Sequence, residues 1–382
     1  MLDFTQFFSE AQKNPPAFDL LIVGGGAGGM SAAINGASER LKVCIVDSHT
    51  HLGGHARDSW AIENYPGFSR GITGKKLFDN MAAQTGKFGA SMITNSTATK
   101  LNKLGSGGYV VTLKDGRQVK GTNVIISTGL DYTPMPVLEK KFLGKGVYYG
   151  MPKEVLSSAH LRAGAGNVAI IGGGNSAGQA AIHLATHKGV TVNLLVRSSV
   201  DKSMSGYLID RLKDCKNINI LTGVSVEKCD GDHELRSLTL SDGKKLPVNC
   251  VFVYAGSQPR TNWLKGAVDL DEKGFVKTWR EVDAGLPYET SLPGVFAIGD
   301  VRAGSVKRIA GAVGEGGAAL QMVHAYRAAL PAAPPEEVTP VVQQRALPQK
   351  VVQRTPCRFP WDKAEDGSKC GKRATTYPRR AR

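Results

Sequence analysis

The sequence predicts an α/β fold, and three observations support that prediction. FDLLIVGGGAGGMSAAINGASERLKVCIVDS, from Phe18 to Ser48, runs from an apolar strand through three glycines and an Ala-rich helix into a second apolar strand. GNVAIIGGGNSAGQAAIHLATHKGVTVNLLVRS, from Gly166 to Ser198, repeats this order. VFAIGD, from Val295 to Asp300, ends a further buried strand at a Gly-Asp pair. Together they predict two βαβ units with parallel sheets.

The first glycine turn has the spacing of a dinucleotide site. Gly24, Gly26 and Gly29 form G-x-G-x-x-G, which permits a tight turn, close approach to a pyrophosphate and close helix packing. The amides at the start of the helix then face the phosphate charge. Asp47 ends the second strand, where a carboxylate accepts a hydrogen bond from an adenosine ribose. An acid at this position favours FAD or NAD over a 2′-phosphorylated nucleotide.

The second glycine turn differs where coenzyme choice is decided. Gly172, Gly174 and Ala177 form G-x-G-x-x-A, with Asn175 and Ser176 between them. Arg197 stands where the acid would be, and its guanidinium can pair with a 2′-phosphate. We therefore expect NADPH in preference to NADH, although only one arginine is present.

The two units define a discontinuous arrangement of domains. We predict two Rossmann-like, three-layer ββα sandwich domains, the second inserted into the first. Residues 1–130 and 256–330 would bind FAD, and residues 134–254 would bind NAD(P)H. Residues 331–382 hold 8 of the 18 prolines and are predicted to form a Pro-rich linker and a basic flexible tail.

Composition limits the function classes. There is no run of 18 apolar residues and no signal-peptide pattern at the start, so we expect a cytoplasmic protein with no membrane association. The six cysteines are scattered and no two form a C-x-x-C motif, which is typical of free thiols. Cys44 lies in an apolar strand and is predicted to be a core residue. The formal charge of +15 is concentrated in the tail.

These motifs resemble those of the thioredoxin reductases, the low-molecular-weight FAD-dependent pyridine nucleotide-disulfide oxidoreductases. The matching stretches are LLIVGGGAGGMSAA, LGGHARDSWAIENYPGF, VIISTG, VAIIGGGNSAGQAA and GVFAIGDVRAGSVKRIAGAVGEGGAA. The resemblance implies FAD in the discontinuous domain, NADPH in the inserted one, and a homodimer. It also implies that further residues contact FAD: Gly54, His55, Asn64, Thr128, Gly129, Gly299, Asp300, Arg308 and Ile309.

One departure from the family concerns its redox-active Cys-x-x-Cys pair. The pair aligns with Gly150 and Lys153, and neither side chain can exchange disulfides. Glu154 aligns with the acidic residue that follows the pair, and is a weak catalytic candidate without a thiol beside it. Tyr148 and Tyr149 precede this stretch and could cover the flavin.

These residues and the resemblance leave three alternative functions open. The first is an NADPH-dependent flavin oxidoreductase that passes electrons to a non-disulfide acceptor such as ferredoxin, a quinone, oxygen or a redox protein. The second is a thioredoxin-disulfide reductase that uses Cys357 and Cys370, whose basic neighbours would lower their pKa values. The third is a flavin-bound redox sensor whose basic tail contacts nucleic acid or an acidic protein.

Two further features receive structural interpretations. His183 and His187 are four residues apart on a predicted helix, without the glutamate of a zinc motif, and are expected at the surface. We therefore predict no metal site. Trp60 and Tyr65 are expected to pack within the FAD-binding domain.

Overall fold

The computed structural model describes residues 17–138, 140–151 and 166–330. All of them lie in one compact unit. Lys153, Glu154, Cys357, Cys370 and the predicted tail are outside the described residues. The prediction of an α/β fold is confirmed, because two separate sheets each contain parallel strands alternating with helices.

The described strands and helices follow one another in a regular order. In chain order the strands are β1 Ala17–Val23, β2 Val43–Val46, β3 Ser91–Ile93, β4 Ala98–Lys103, β5 Tyr109–Leu113, β6 Gln118–Ile126, β7 Leu130–Tyr132, β8 Val147–Tyr149, β9 Gly166–Ile171, β10 Val190–Val196, β11 Ile218–Thr222, β12 Val226–Asp230, β13 Ser237–Leu240, β14 Lys245–Pro247, β15 Cys250–Val253, β16 Ser257–Pro259 and β17 Val295–Ala297. The α-helices are α1 Ala27–Ser38, α2 Gly74–Lys87, α3 Asn175–Ala185, α4 Gly206–Asp214 and α5 Ile309–Ala329.

The first sheet has the order β3-β2-β1-β6-β5-β4, with β17 also paired to β6. Its central strand β1 is apolar on both faces, as expected of a strand buried between two layers. Leu20 and Ile22 face the helical layer of α1 and α5, whereas Leu21 and Val23 face a second core. We call this part of the chain, residues 17–129 and 260–330, the first lobe.

The second sheet is parallel throughout, with the order β11-β10-β9-β15-β8. The same alternation recurs in β9. Val168 and Ile170 pack against α3 and α4 on one face. Ala169 and Ile171 pack on the other face, against the antiparallel sheet β12-β13-β14. We call the described residues between 133 and 256 the second lobe. Its layers of helices, parallel sheet and antiparallel sheet match the predicted three-layer sandwich.

A two-stranded antiparallel ribbon joins the lobes. Strand β7 leaves the first lobe and strand β16 returns to it, with Tyr132 opposite Ser257 and Leu130 opposite Pro259. The turns that follow β1 and β9 line one cleft, so these strands of the two sheets end towards the same space. No helix within the described ranges is long and apolar enough to cross a membrane.

Candidate cofactor-binding cleft

A cleft of about 980 Å³ lies between the two lobes and receives both glycine turns. Most residues expected at a cofactor line it. From the first lobe these are Gly24, Gly26, Asp47, Gly54, His55, Asn64, Thr128, Gly129, Gly299, Asp300, Arg308 and Ile309. From the second lobe they are Gly174, Asn175, Ser176 and Ala177. Gly29, Gly172 and Arg197 do not line the cleft.

Two of the three glycines in the first glycine turn pack so closely against neighbouring backbone that there is no room for a side chain. Gly24 has φ +105°, and a Cβ there would overlap the carbonyl of Ser127. A Cβ on Gly29 would overlap the carbonyl oxygen of Gly24. Gly26 differs, because a Cβ there would meet nothing within 4 Å and would point into open space. Gly24 and Gly29 therefore serve packing, whereas Gly26 presents bare backbone to the cleft, beside the uncapped start of α1.

Asp47 is held rigidly at the end of β2. One carboxylate oxygen accepts from the amide of Gly25 at 2.6 Å, and the other from the amide of His49 at 2.8 Å and its Nδ1 at 3.0 Å. Burial raises the pKa of Asp47, but these hydrogen bonds outweigh it and the net pKa lies below its ordinary value. Asp47 is therefore ionised at neutral pH and can accept a further hydrogen bond in the cleft.

An aromatic and cationic cluster lies at the mouth of the ribbon. The imidazole of His55 stacks on the ring of Tyr132, with centroids 4.6 Å apart and planes 11° apart. Arg260 approaches Nε2 of His55 at 3.2 Å and also pairs with Asp131 at 3.3 Å. Burial and the charge of Arg260 both lower the pKa of His55, so its ring is neutral at neutral pH.

Tyr132 also occupies the space beside Gly150, the first position that aligns with the family's cysteine pair. Gly150 has φ +72°, and a Cβ there would lie 2.9 Å from the Tyr132 hydroxyl. Tyr149 lines the cleft with its ring 6.1 Å from that of Tyr132. Tyr148 does not line it, because its ring packs on Phe252. Of the two tyrosines expected near the cofactor, only Tyr149 is brought there.

The second glycine turn is built differently. Gly172 has φ +146° and packs against the backbone of Tyr254, so it shapes the turn from behind. Asn175 is tied to Ser205, whose amide donates to its side-chain oxygen at 2.8 Å. Arg197 is exposed just beyond β10 and has no ion pair with any described residue.

Two contacts across the cleft join the lobes, and neither was expected from the sequence. The indole of Trp60 stacks on the imidazole of His183, and Glu63 pairs with Arg211 at 2.5 Å. The expectation that His183 is a surface residue is wrong, because it is 5% exposed. Trp60 likewise does not pack only within its own lobe. The four-residue spacing of His183 and His187 indicates only that their rings lie on one face of α3, where they contact each other edge-on.

The cysteines within the described ranges offer no sulfur pair. Cys44, Cys229 and Cys250 are buried, Cys215 is partly exposed, and none of the four is in a disulfide. The prediction for Cys44 is confirmed, and burial raises its pKa to about 12. The described part of the chain has no group of three or more metal-ligating side chains.

A dinucleotide-type glycine turn in each lobe, with both turns at one cleft, defines a two-nucleotide oxidoreductase fold. Residues 18–316 match the family described as pyridine nucleotide-disulphide oxidoreductase. This match covers most of the chain. The chain therefore belongs to that family and is an oxidoreductase enzyme, and the family implies use of FAD and NAD(P)H.

Related sequences support this assignment. The chain is 29% identical over 322 residues to the 34.2 kDa protein in rubredoxin operon of Clostridium pasteurianum, covering 82% of this chain and 98% of that protein. It is 32% identical over 322 residues to a subunit of the alkyl hydroperoxide reductase of Staphylococcus epidermidis, again over 82% of this chain. It spans only 60% of that second relative.

Solved structures agree with the fold. Thioredoxin reductase from T. acidophilum superposes with a TM-score of 0.72 at 28% identity, covering 82% of this chain and 99% of that one. Thioredoxin reductase from Lactococcus lactis gives a TM-score of 0.73 at 24% identity, covering 82% of this chain and 100% of that one. The second similarity concerns the fold alone. The resemblance to thioredoxin reductases is thereby confirmed.

Proposed function

We propose that the protein is an FAD-dependent NADPH oxidoreductase that passes electrons to an acceptor other than a disulfide of its own. The observation behind this proposal is that both glycine turns open into one cleft, each at the start of a helix. FAD, when bound, supplies the group that takes a hydride from the nicotinamide and releases electrons to the acceptor. The protein supplies binding, orientation and electrostatics.

The residues of the first lobe fit FAD. The bare backbone at Gly26 leaves space at the start of α1, where amides attract a pyrophosphate. Asp47 stays ionised and faces the same cleft. We propose that Gly24, Gly26 and Asp47 hold the ADP half of the cofactor, with Gly29 packed behind the turn. The rest of FAD would then contact further residues that line the cleft: Gly54, His55, Asn64, Thr128, Gly129, Gly299, Asp300, Arg308 and Ile309.

The second lobe supports NADPH over NADH through one side chain. Arg197 is exposed after β10 with no described partner, so its guanidinium is available to a 2′-phosphate. Asp201 is four residues later in the sequence, and its carboxylate accepts a hydrogen bond from the Ser199 hydroxyl at 2.7 Å. We propose that Arg197 sets the preference. Replacing it with Met should raise KM for NADPH while leaving KM for NADH unchanged, because only NADPH carries the phosphate.

The acceptor is proposed from the chemistry of the thiols. Disulfide exchange requires a thiolate, and burial raises the pKa of Cys44 to about 12 and that of Cys250 to about 11. Tyr132 fills the space next to Gly150. These observations favour direct transfer to ferredoxin, a quinone, oxygen or another redox protein. Reduction of thioredoxin through Cys357 and Cys370 is the alternative, and the homodimer and the cytoplasmic location stay predictions.

The proposal is tested by reconstituting the full chain with FAD and mixing it anaerobically with NADPH or NADH. We expect the flavin absorbance to bleach faster with NADPH. A panel of acceptors (a quinone, oxygen, ferredoxin and thioredoxin) is then added to the reduced enzyme. Reoxidation by thioredoxin alone would contradict the proposal, as would failure of both coenzymes to bleach the flavin.

A further inference from the structure

We propose that Glu315 is a positioning residue for the cofactor, because its buried carboxylate clamps the Gly299–Asp300 turn to helix α5 at the wall of the cleft. This inference rests on the proposed FAD site. Gly299 and Asp300 line the cleft, whereas Glu315 does not. Glu315 would therefore act through the turn and not by touching the cofactor.

The carboxylate of Glu315 makes two kinds of hydrogen bond. Its Oε2 accepts from the amide of Gly299 at 2.6 Å, and its Oε1 accepts from Nη2 of Arg302 at 2.7 Å. The Glu315 side chain is 11% exposed and that of Arg302 is 18% exposed. A charge this buried is tolerated when it is paired and hydrogen-bonded, and removing one partner is costly. The clamp therefore ties both ends of the turn to one side chain.

Arg302 is itself fixed from other directions. Its amide donates to the carbonyl of Gly299 at 3.0 Å, which closes the turn, and its Nη1 donates to the carbonyl of Ala303 at 2.9 Å. Its guanidinium lies 5.5 Å from the ring centroid of Tyr288. These contacts hold Arg302 in place as the counter-charge of Glu315.

Helix α5 is also locked to the helix that follows the first glycine turn. A Cβ on Gly316, the next residue, would overlap the carbonyl oxygen of Gly28. The hydroxyl of Ser31 donates to the carbonyl of Val313 at 2.8 Å. Glu315 thus lies between two residues of α5, Val313 and Gly316, that pack closely on α1. Through it, the turn carrying Asp300 is held in register with the glycine turn proposed to bind the pyrophosphate.

Glu315 also affects the charge of Asp300. Burial raises the pKa of Asp300, the positive charges of Lys307 and Arg308 lower it, and the negative charge of Glu315 raises it further. An Asp300 carboxylate that accepts a hydrogen bond from a cofactor hydroxyl binds best when ionised, so affinity falls as pH drops through its pKa. Removing the charge of Glu315 should move this loss of affinity to lower pH, an effect that a purely structural role would not produce.

The test is titration of the FAD-free full chain with FAD, followed by flavin fluorescence, for wild type, Glu315→Gln and Glu315→Leu. We expect Glu315→Leu to raise the Kd for FAD by about tenfold or more, since the buried Gly299 amide and Arg302 both lose a partner. Glu315→Gln retains an oxygen for the Gly299 amide, so its loss should be smaller. In Glu315→Gln, the loss of FAD affinity on acidification should also occur at a lower pH than in wild type.

Glu289 provides a matched control. It is also a buried carboxylate of the first lobe that accepts from a glycine amide, that of Gly294 at 2.8 Å, and it does not line the cleft. Glu289→Gln should lower thermal stability but leave both the Kd for FAD and its pH profile unchanged.

Three results would separate the possibilities. Equal loss of FAD affinity in the Glu289→Gln and Glu315→Gln variants would reduce Glu315 to a stability residue and overturn the inference. So would a Glu315→Gln variant with wild-type affinity and an unshifted pH profile, which is informative even if Glu315→Leu does not fold. A wild-type chain that binds no FAD would instead contradict the proposed function itself.

Discussion

The indole of Trp60, in the first lobe, stacks on the imidazole of His183, in the second, with ring centroids 3.9 Å apart and planes 20° apart. Neither ring nitrogen of His183 has a hydrogen-bond partner among the described residues. The ring of His187 contacts His183 edge-on. This stacking contact between the lobes therefore uses an uncharged, buried imidazole that has no hydrogen-bond partner among the described residues.

This arrangement predicts a pH-dependent stability. Burial and the neighbouring His187 lower the pKa of His183 from 6.5 to about 4. The folded protein binds this proton less readily than an exposed histidine does, so stability should be full above pH 6.5 and fall as pH drops towards 4. His183→Phe keeps the stack on Trp60 and removes the titration. In thermal unfolding between pH 7.5 and 4.5, the variant should lose less stability than wild type. Parallel pH profiles would contradict this prediction.

A second prediction concerns Gly150 and Tyr132. Gly150→Ala places a methyl group 2.9 Å from the Tyr132 hydroxyl at φ +72°. It should destabilise the protein by about 1–3 kcal/mol, from backbone strain and steric overlap together. In a Tyr132→Phe background the hydroxyl is gone and the nearest ring atoms are 3.4 Å away. Part of the loss of stability caused by Gly150→Ala should then disappear.

The measurement is a double-mutant cycle by chemical denaturation. A coupling of about 0.5 kcal/mol or more is expected for groups in direct contact. Strictly additive effects would show that Tyr132 does not occupy the space beside Gly150 in solution.

A third prediction separates the two roles of glycine in the first turn. Gly26→Ala should leave the FAD-free protein as stable as wild type, because φ is −73° and the new methyl group meets nothing within 4 Å. It should nevertheless weaken FAD binding about tenfold or more, since the methyl group lies where the pyrophosphate would approach the backbone. Gly29→Ala should instead destabilise the FAD-free protein, because its methyl group overlaps the Gly24 carbonyl.

These two variants are compared by thermal unfolding without FAD and by FAD titration. A Gly26→Ala protein that binds FAD as tightly as wild type would place the cofactor elsewhere in the cleft.

The sequence was sufficient for features that are local along the chain. Asp47 follows β2, and Gly24 and Gly26 precede α1, so strand, turn and acid could be placed from spacing alone. The alternation of Leu20, Leu21, Ile22 and Val23 between two cores follows from the two-residue period of a strand. Such patterns need no knowledge of how the lobes pack.

The contacts between lobes could not be predicted in this way. Trp60 and His183 are far apart in sequence, and so are Glu63 and Arg211, yet each pair is in contact because residues 60–63 approach α3 and α4 from the other lobe. The same holds for Tyr132, which contacts His55 and Gly150 because it lies on the connecting ribbon. The position of Arg197 just after β10, in contrast, was predicted from the sequence, although Arg197 is not among the residues that line the cleft.

The number of electrons that the protein accepts per FAD is the most direct measurement of the proposed electron transfer. The reconstituted full chain is titrated anaerobically with NADPH while flavin absorbance is followed, in wild type and in Cys357→Ser/Cys370→Ser. Direct transfer predicts complete bleaching after two electrons per FAD in both proteins, because no sulfur couple shares the charge. Uptake of four electrons by wild type and two by the variant would show that the tail thiols form the relay.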